Sequence, residues 1–294
     1  MCHVFRLRSL ETRLTRSLHF FDPILSLSLF VISSAVSADE LPAYSVTSNI
    51  GITSDYISRG LRLNWGHPAI QANTDVLHPS GWYVGAGGSQ VTDNYYANGS
   101  LELDLYAGHR GAISEKLNYD VGLGAYFYPG ANFQDAAPKG TYPNKRYDTV
   151  EAIFGFTVDW LNLKYSRCLT DYYGYDDRTV PITVWNSGVL GGVNPGQGTK
   201  GSGYLEANAS FELGNAYTFG LHAARQIVTN SRNLSYNDYK LSVTKGWANG
   251  WSALLALTAT QGAELYNNFL SVSGNSKTMD IGGTNWLFGI NKSF

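Results

Sequence analysis

The sequence is short of charge. Only 15% of its 294 residues are charged, against roughly 25% in soluble domains. It is nevertheless too polar for a bundle of membrane helices, since its mean hydropathy is -0.17. The apolar residues must therefore be interleaved with polar ones. The many Tyr, Phe, Trp and Gly residues favour short strands, because aromatic rings suit pleated surfaces and glycine suits turns.

Cysteine is nearly absent, with only Cys2 and Cys168 in the whole chain. Cys2 lies in the leader described below, so Cys168 is alone in the processed protein and can form no internal disulfide. The sequence contains no zinc knuckle or CxxC pair, and we expect neither a metal nor a cofactor. A small, half-buried strand residue is the favoured interpretation of Cys168 over a reactive thiol.

The start of the chain has the three parts of a secretory signal peptide. Residues 6–16 contain four arginines, residues 24–32 are a short apolar run, and a small-residue motif ends at Ala38. The apolar run is too short for a helix that spans a bilayer. The sequence therefore predicts a signal peptide over 1–38, cleavage near Ala38, and an exported mature chain over 39–294.

The charge balance gives no reason to propose nucleic acid as a partner. The whole chain has a formal net charge of -2. The leader holds four basic and two acidic residues, which leaves 17 basic and 21 acidic residues in the mature chain. A mature charge near -4 offers no basic surface of the kind that nucleic-acid binding requires.

Apolar and polar residues alternate along the mature chain, and no segment sustains a helical period. In the clearest case, one face carries Leu101, Leu103, Leu105 and Ala107, and the other carries Glu102, Asp104, Tyr106 and Arg110. The pattern predicts about twelve strands of roughly the length that crosses a bilayer. They span 44–55, 69–77, 82–91, 101–110, 117–127, 148–158, 161–170, 203–211, 217–225, 238–245, 251–260 and 283–294.

The predicted connections alternate strictly between short and long. Short turns centre on 78–81, 111–116, 159–160, 212–216 and 246–250, and longer links span 56–68, 92–100, 129–147, 171–202, 226–237 and 261–282. This alternation is typical of an all-β, transmembrane, antiparallel up-and-down β-barrel with short periplasmic turns and long extracellular loops. The barrel must close, because hydrocarbon offers no water to an open sheet edge. An even number of strands then places both chain ends in the periplasm.

A soluble β-sandwich is the competing fold, since it also has short alternating strands. A sandwich gives no reason for short and long links to alternate so regularly. Tryptophans also favour the barrel, because they fall near predicted membrane interfaces, at Trp82, Trp160, Trp247, Trp251 and Trp286. We therefore expect a protein of the bacterial outer membrane, in contact with its lipid.

The chain ends in a phenylalanine. Trp286, Phe288 and Ile290 precede it at alternate positions, although Lys292 interrupts their face. A terminal Phe294 after such alternation resembles the signal that the barrel-assembly machinery of the outer membrane reads. We expect that machinery as a partner.

Several strings of residues resemble the TorF family of porins. They are GITSDYISRG at 51–60, PAIQ at 68–71, GWYVG at 81–85, ELDLYAG at 102–108, YPG at 128–130, LKYS at 163–166 and TDYYG at 170–174. The resemblance covers nearly all of the mature chain. It implies an outer-membrane barrel with a channel role, and it supplies no substrate or site residue.

If the apolar face meets lipid, the opposite face lines the lumen and decides what passes. Its charged and titratable candidates are Asp75, Glu102, Asp104, Arg110, Asp120, Glu151, Lys164, Glu206, His222, Asp238 and Lys240. Acidic groups are in excess, so we expect a weak preference for cations among the small solutes or ions that pass.

A closed lumen is the alternative, because opposite charges inside a narrow barrel commonly pair and plug it. About twelve strands lie between the roughly eight that leave a filled interior and the roughly sixteen that leave an aqueous channel. This intermediate number favours a small-solute pore, narrowed if the loop over 171–202 folds inward.

Two arginines, Arg59 and Arg62, lie with Asp55 where the first predicted strand meets its loop. They are candidates to bind an anionic solute or the phosphate of an outer-leaflet lipid. The favoured interpretation is an ion pair that stabilises the loop.

Two other functions compete with a channel. An outer-membrane lipase would need a Ser, a His and an orienting Asn or Asp, yet His67, His78, His109 and His222 lie in no recognised serine-histidine signature. We therefore expect no enzyme activity. The other competitor is a structural or surface-interaction barrel that uses the aromatic loop over 172–201. Porins often form trimers, but the sequence marks no subunit interface, so a homo-oligomer is left open.

Overall fold

Long strands that pair in sequence order build the protein. The computed structural model describes residues 44–184 and 190–294, so the predicted leader and its cleavage near Ala38 lie outside the described residues. The strands of the barrel are β1 Ser45–Thr53, β2 Ala69–Leu77, β3 Trp82–Gln90, β4 Leu101–Ala112, β5 Leu117–Phe127, β6 Thr149–Val158, β7 Leu161–Cys168, β8 Gly203–Gly214, β9 Tyr217–Ile227, β10 Tyr236–Gly246, β11 Trp251–Gln261 and β12 Asn285–Ser293.

Each of these strands pairs with its neighbours in the chain, and β12 pairs with β1, so the sheet closes. The closing pair is antiparallel, with Asn49 opposite Ser293. The predicted fold, an antiparallel up-and-down barrel of twelve strands, is confirmed. Strands β2 and β5 have the predicted bounds. Strands β1 and β7 end earlier than predicted, at Thr53 and Cys168, because the chain leaves the barrel wall there and enters a loop.

Short turns lie at one end of the barrel and longer loops at the other. The turns span 78–81, 113–116, 159–160, 215–216 and 247–250, and the loops span 54–68, 91–100, 128–148, 169–202, 228–235 and 262–284. The turn between β8 and β9 has positive φ at Asn215 and Ala216, 50° and 58°, which matches the twist of two antiparallel strands. Strand β1 begins and β12 ends at the turn end of the barrel.

The outer surface of the barrel is apolar. On β4, Leu103 and Leu105 are 39% and 54% exposed, whereas Asp104 between them is 1% exposed. The same alternation exposes aliphatic and aromatic side chains around the wall, including Val84, Val121, Leu123, Phe154, Phe156, Leu163, Leu205, Leu221, Leu241, Leu255, Phe288 and Ile290. A continuous apolar surface of this extent requires an apolar surrounding.

Tryptophans lie at both rims of this apolar surface. Trp82, Trp160, Trp247 and Trp251 lie in or beside the short turns, and Trp286 lies near the loop end of β12; all are exposed. The ring of Trp160 stacks on that of Phe211, with centroids 5.4 Å apart. Such a distribution is typical of a membrane-spanning barrel, because these rings favour the boundary between acyl chains and water.

The loops pack together into a cap over one end of the barrel. Within the described residues they contain the 3-10 helices Phe133–Asp135, Tyr172–Gly174 and Glu264–Tyr266, and the short strands Ile57–Ser58, Leu61–Arg62, Thr183–Val184, Leu190–Val193, Ser231–Arg232, Phe269–Leu270 and Thr278–Met279. No helix in the part of the chain that the structure describes is long and apolar enough to cross a membrane.

The buried core of the protein lies in this cap and at the adjoining end of the barrel. Tyr96 stacks on Tyr128 with ring centroids 4.0 Å apart, and Phe133 stacks on Tyr147 at 3.9 Å. Leu234, Leu265 and Ile281 belong to the same buried cluster. The loops therefore form a packed aromatic layer over the barrel mouth.

Glycines on β3, β4 and β5 allow two tyrosines to lie flat on the inner wall. The Tyr106 ring occupies the space over Gly85, and the Tyr83 hydroxyl lies over Gly108 and Gly122. A side chain at any of these glycines would collide with the tyrosine that covers it. Because the rings of Tyr83 and Tyr106 lie flat against this wall, they take up less of the lumen than they would if they pointed toward its centre.

We predict that Gly108→Val destabilises the folded barrel by about 1–3 kcal/mol. A Cβ at residue 108 would collide with the Tyr83 hydroxyl and with the backbone oxygen of Val121. The measurement is a urea titration of the protein refolded into detergent micelles. Gly88→Val is the matched control, because a Cβ there meets its nearest atom, the Glu102 carbonyl oxygen, at 3.4 Å. Equal unfolding midpoints for the two variants would contradict the prediction.

Candidate functional site

The charged residues predicted to line the lumen lie on the interior face of the barrel. Glu102, Asp104, Glu151, Glu206 and Asp238 are buried, and Asp75, Arg110, Asp120, Lys164, His222 and Lys240 are half-buried. The structure does not bring them into a single cluster. It places them at three levels: beside the turns, around the middle of the lumen, and beneath the loop cap.

The group beside the turns contains Asp75, Arg110 and Asp120. The Tyr83 hydroxyl donates to Asp120 Oδ1 at 2.8 Å, and the Tyr106 hydroxyl donates to Asp75 Oδ1 at 2.5 Å. Arg110 lies opposite Asp120 in register and over the Tyr83 ring, 5.7 Å from its centre. The two flat tyrosines thus present their hydroxyls to the interior acids.

The middle group joins strands β7 to β10 through hydrogen bonds between charged side chains. Lys164 Nζ lies 2.8 Å from Glu206 Oε1, and the Asn208 amide donates to Glu206 Oε2 at 3.1 Å. His222 has Nδ1 at 2.6 Å from Asn208 Oδ1 and Nε2 at 3.0 Å from Asp238 Oδ1. Both ring nitrogens of His222 therefore take part in this network, and Nε2 also lies 3.1 Å from the Tyr204 hydroxyl.

The first loop folds down into the barrel. Its short strands, Ile57–Ser58 and Leu61–Arg62, form a hairpin with Arg59 and Gly60 at its tip. Arg59 donates to both carboxylate oxygens of Glu151, at 2.9 and 2.7 Å, and its guanidinium lies 4.6 Å from the centre of the Tyr204 ring. A buried two-point bond between guanidinium and carboxylate is the strongest kind of side-chain ion pair.

Other parts of the same hairpin touch the opposite wall. Gly60 has φ of 78°, and a Cβ there would lie 2.6 Å from Asp238 Cβ and 2.7 Å from Thr260 Cγ2. Ile57 packs with the interior side chains of β11 and β12, namely Leu254, Ala256 and Leu287. The hairpin therefore spans the lumen from β6 to β12 and narrows it at this level.

Beneath the cap, the hairpin also meets an acid on β4. Glu102 accepts hydrogen bonds from the Tyr56 and Tyr128 hydroxyls, each at 2.5 Å. Tyr96 in turn donates to the Tyr128 oxygen at 3.0 Å. Through these hydroxyls, the base of the hairpin and the aromatic cap are both hydrogen-bonded to one buried carboxylate of the barrel wall, that of Glu102.

A polar cavity of about 90 Å³ lies below the hairpin tip. Its lining includes Arg59, Tyr126, Lys164, Tyr204, Glu206, Asn208, His222, Asp238, Lys240 and Thr258. Acidic, basic and aromatic groups all face it, so it suits small polar solutes or ions better than apolar ones. The cavity is the part of the lumen that the hairpin leaves open on this side.

The cluster predicted from Asp55, Arg59 and Arg62 is divided in the structure. Arg62 Nε donates to Asp55 Oδ2 at 2.6 Å, so the loop-stabilising ion pair is present for these two residues. Arg59, the other candidate to bind an anionic solute or a lipid phosphate, lies at the tip of the hairpin. Its side chain turns inward to Glu151 because the hairpin enters the barrel. The local sequence Ser58-Arg59-Gly60 indicates a tight turn, but no local pattern shows where that turn goes.

Within its described residues, the loop over 171–202 reaches the barrel mouth at Tyr173. Tyr173, with φ of 46°, places its ring 6.2 Å from that of Tyr126 and 6.0 Å from that of Tyr128. The hairpin of the first loop reaches deeper. Among the described residues, the lumen is thus narrowed more by the hairpin of the shorter first loop, through the bond of Arg59 to Glu151, than by the loop over 171–202.

An ion-pair network holds the start of that longest loop in the cap. The Asp176 carboxylate lies 3.0 Å from Lys145 Nζ and 3.0 Å from an Arg178 nitrogen, and it accepts from the backbone N–H groups of Arg178 and Thr179. Partial burial by itself would raise the pKa of Asp176, but these hydrogen bonds and cations outweigh it and hold the pKa below its usual range.

We predict that Asp176→Asn loosens this loop from neutral pH down to about pH 3. A carboxylate with a lowered folded pKa stabilises the fold above its unfolded pKa, near 3.9, and loses that effect only as pH falls through the lower folded value. The wild-type loop should therefore resist pepsin at about pH 3, whereas the variant is cleaved between 171 and 182. Asp93→Asn, an exposed loop acid, is the control. Equal cleavage of wild type and Asp176→Asn would refute the role of the ion pairs.

A closed sheet, an apolar exterior and a charged interior define a β-barrel of the outer-membrane type. The chain belongs to a bacterial protein family of unknown function, Gcw_chp, whose family model matches residues 37–294. No curated protein matches the sequence.

The chain is also similar to solved structures of porins. The KdgM porin is 8% identical, with 84% of this chain and 99% of that chain covered at a TM-score of 0.47. The NanC porin is 9% identical, with 84% and 99% covered at 0.46. Pseudomonas aeruginosa OprD is 10% identical, with 87% and 68% covered at 0.35.

Proposed function

We propose that this protein is a porin-like channel of the bacterial outer membrane, through which small solutes or ions diffuse passively. The proposal rests on one observation: apolar side chains cover the outside of the barrel wall and charged side chains lie inside it, which is the reverse of a water-soluble protein. Lipid stabilises that arrangement, whereas water would not. The resemblance of the sequence to TorF porins supports the same function.

The inserted hairpin is the constriction of this channel, and passage requires that it moves. Its own strands are two residues long each, so little secondary structure holds it rigid. Its polar contacts are few: Arg59 bonds Glu151 and Gln226, Tyr56 bonds Glu102, and the Arg62 N–H donates to the Ile281 carbonyl oxygen. The apolar contact of Ile57 adds to them. Segments held by few contacts are those that open most readily.

We predict that a disulfide between hairpin and wall closes the channel reversibly. The variant is Gly60→Cys with Asp238→Cys in a Cys168→Ser background, because Cys168 is a free cysteine. A Cβ at residue 60 would lie 2.6 Å from Asp238 Cβ, so the hairpin tip must move outward by about 1 Å to reach the roughly 3.5–4.5 Å of a disulfide. Oxidised protein should give no conductance in planar bilayers and no swelling of liposomes in small sugars or salts. Reduction should restore both, since the hairpin is then held only by non-covalent contacts, which can break and re-form.

The control for this experiment is Asp238→Cys alone in the same background, which should conduct equally before and after reduction. Conductance that persists with the bridge formed would show that solutes do not pass the hairpin. Wild-type protein that neither conducts nor swells liposomes would contradict the channel itself.

We also predict a weak preference for cations. Seven interior carboxylates outnumber Arg59, Arg110, Lys164 and Lys240 on the interior of the described barrel, and a lumen with excess negative charge concentrates cations. Under a KCl gradient, the reversal potential should have the sign of K⁺ selectivity. Asp120→Asn should reduce it, whereas Asp159→Asn in an exposed turn should not. A reversal potential of the opposite sign would overturn this preference.

The second candidate function is a closed structural or surface-interaction barrel. The packed aromatic cap and the hairpin across the lumen favour it, because together they close the loop end. The two candidates differ in the disulfide experiment. A channel opens when the bridge is reduced, while a structural barrel excludes solutes in both redox states.

A further inference from the structure

Asp104 is a carboxylate enclosed in the barrel without a partner. Its side chain lies on the interior face of β4 and is 1% exposed. Among the described residues, neither of its oxygens has a hydrogen-bond partner. Across the sheet it lies opposite Gly87, which has no side chain, and Tyr126. Burial of an uncompensated carboxylate is strongly unfavourable, so Asp104 must either be protonated or be balanced by a positive charge from the lumen.

Neighbouring charges do not supply that balance. Glu102, two residues earlier on the same face, is also an acid, and its oxygens accept from Tyr56 and Tyr128. The guanidinium of Arg59 at the hairpin tip is held by both oxygens of Glu151. Two carboxylates therefore lie side by side beneath the cap, and only Glu102 has donors.

The partnered interior acids show how unusual Asp104 is. Asp75, Asp120 and Asp238 accept from tyrosine hydroxyls, and Glu206 accepts from Lys164 and from the Asn208 amide. Each has hydrogen-bond donors that the folded chain itself supplies. Asp104 lies on the same wall as Asp75 and Asp120, so its strand alone does not explain the difference.

We propose that Asp104, beside Glu102, binds a singly charged cation from the lumen, either an alkali ion or the ammonium group of a small solute. One positive charge is what Asp104 requires, because the Glu102 charge is already shared by two hydroxyls. No group of three or more His, Cys, Asp or Glu in the described ranges is arranged to hold a metal ion. A divalent ion such as Ca²⁺, which proteins usually hold with several carboxylates, is therefore disfavoured.

In the proposed channel, Asp104 would be a binding site that cations occupy as they pass beneath the hairpin. This role in selectivity rests on the proposed channel function, whereas binding itself does not. A ligand that binds only the folded state raises the resistance to unfolding. Binding can therefore be measured without any transport.

The experiment compares urea unfolding midpoints of the refolded full-length mature protein in detergent at one ionic strength. The salts are KCl, methylammonium chloride and choline chloride. Choline chloride is the control salt, because the quaternary ammonium group of choline has no N–H donor and is too large for a site that holds an alkali ion or a primary ammonium group. Wild-type protein should unfold at higher urea in KCl, in methylammonium chloride or in both than in choline chloride. The first two salts distinguish an alkali ion from an ammonium group.

Asp104→Asn should lose this salt-specific shift, and it should unfold at higher urea than wild type in choline chloride because an unbalanced charge is removed. Asp104→Leu, which has no polar group to satisfy, provides a second test if the amide variant folds poorly. Asp75→Asn is the matched control and should keep the shift, since Asp75 already accepts from Tyr106 and Asn73.

Three results would overturn the proposal. They are a wild-type midpoint equal in all three salts, a shift that persists in both Asp104 variants, and a shift that Asp75→Asn loses as completely as Asp104→Asn. A protein that shows the Asp104-dependent shift but neither conducts nor swells liposomes would retain the cation site and lose the channel function. The two proposals can therefore fail separately.

Discussion

Closure of the sheet is the constraint on which the rest of this structure depends. A strand that faces lipid has no water to bond its backbone N–H and C=O groups, so each strand must have a partner on both sides. The pairing of β12 with β1 meets that condition. Closure then divides every strand into an outer face, where Leu103 and Leu105 are exposed, and an inner face, where Asp104 is buried.

Closure of the sheet also confines charged side chains in a narrow interior, away from bulk water. Most are balanced within the fold. Arg59 neutralises Glu151, Lys164 bonds Glu206, and His222 lies between Asn208 and Asp238. The first of these pairs is made by a loop and not by the wall, so the electrostatic balance of the lumen depends on the position of the hairpin.

The same dependence connects stability with function. The hairpin is anchored by Arg59 and Tyr56 to acids that face the lumen, and each anchor also occupies space through which a solute would pass. Opening exposes Glu151 and Glu102, two carboxylates, to the lumen, which would increase its attraction for cations. The constriction and the selectivity of the proposed channel are therefore two consequences of one set of contacts.

Alternation of apolar and polar residues was sufficient to predict the twelve strands, their order and the interior acids, because the two faces of a strand meet different surroundings whatever the loops do. Where a loop goes depends on distant residues. Arg59 follows a local turn signal, but its partner Glu151 lies 92 positions away, and only the closed barrel brings the two together. The unpartnered state of Asp104 likewise depends on Gly87 and Tyr126 across the sheet. The sequence by itself determined the wall of this protein, whereas the tertiary structure decided what fills it, since contacts across the lumen have no local pattern.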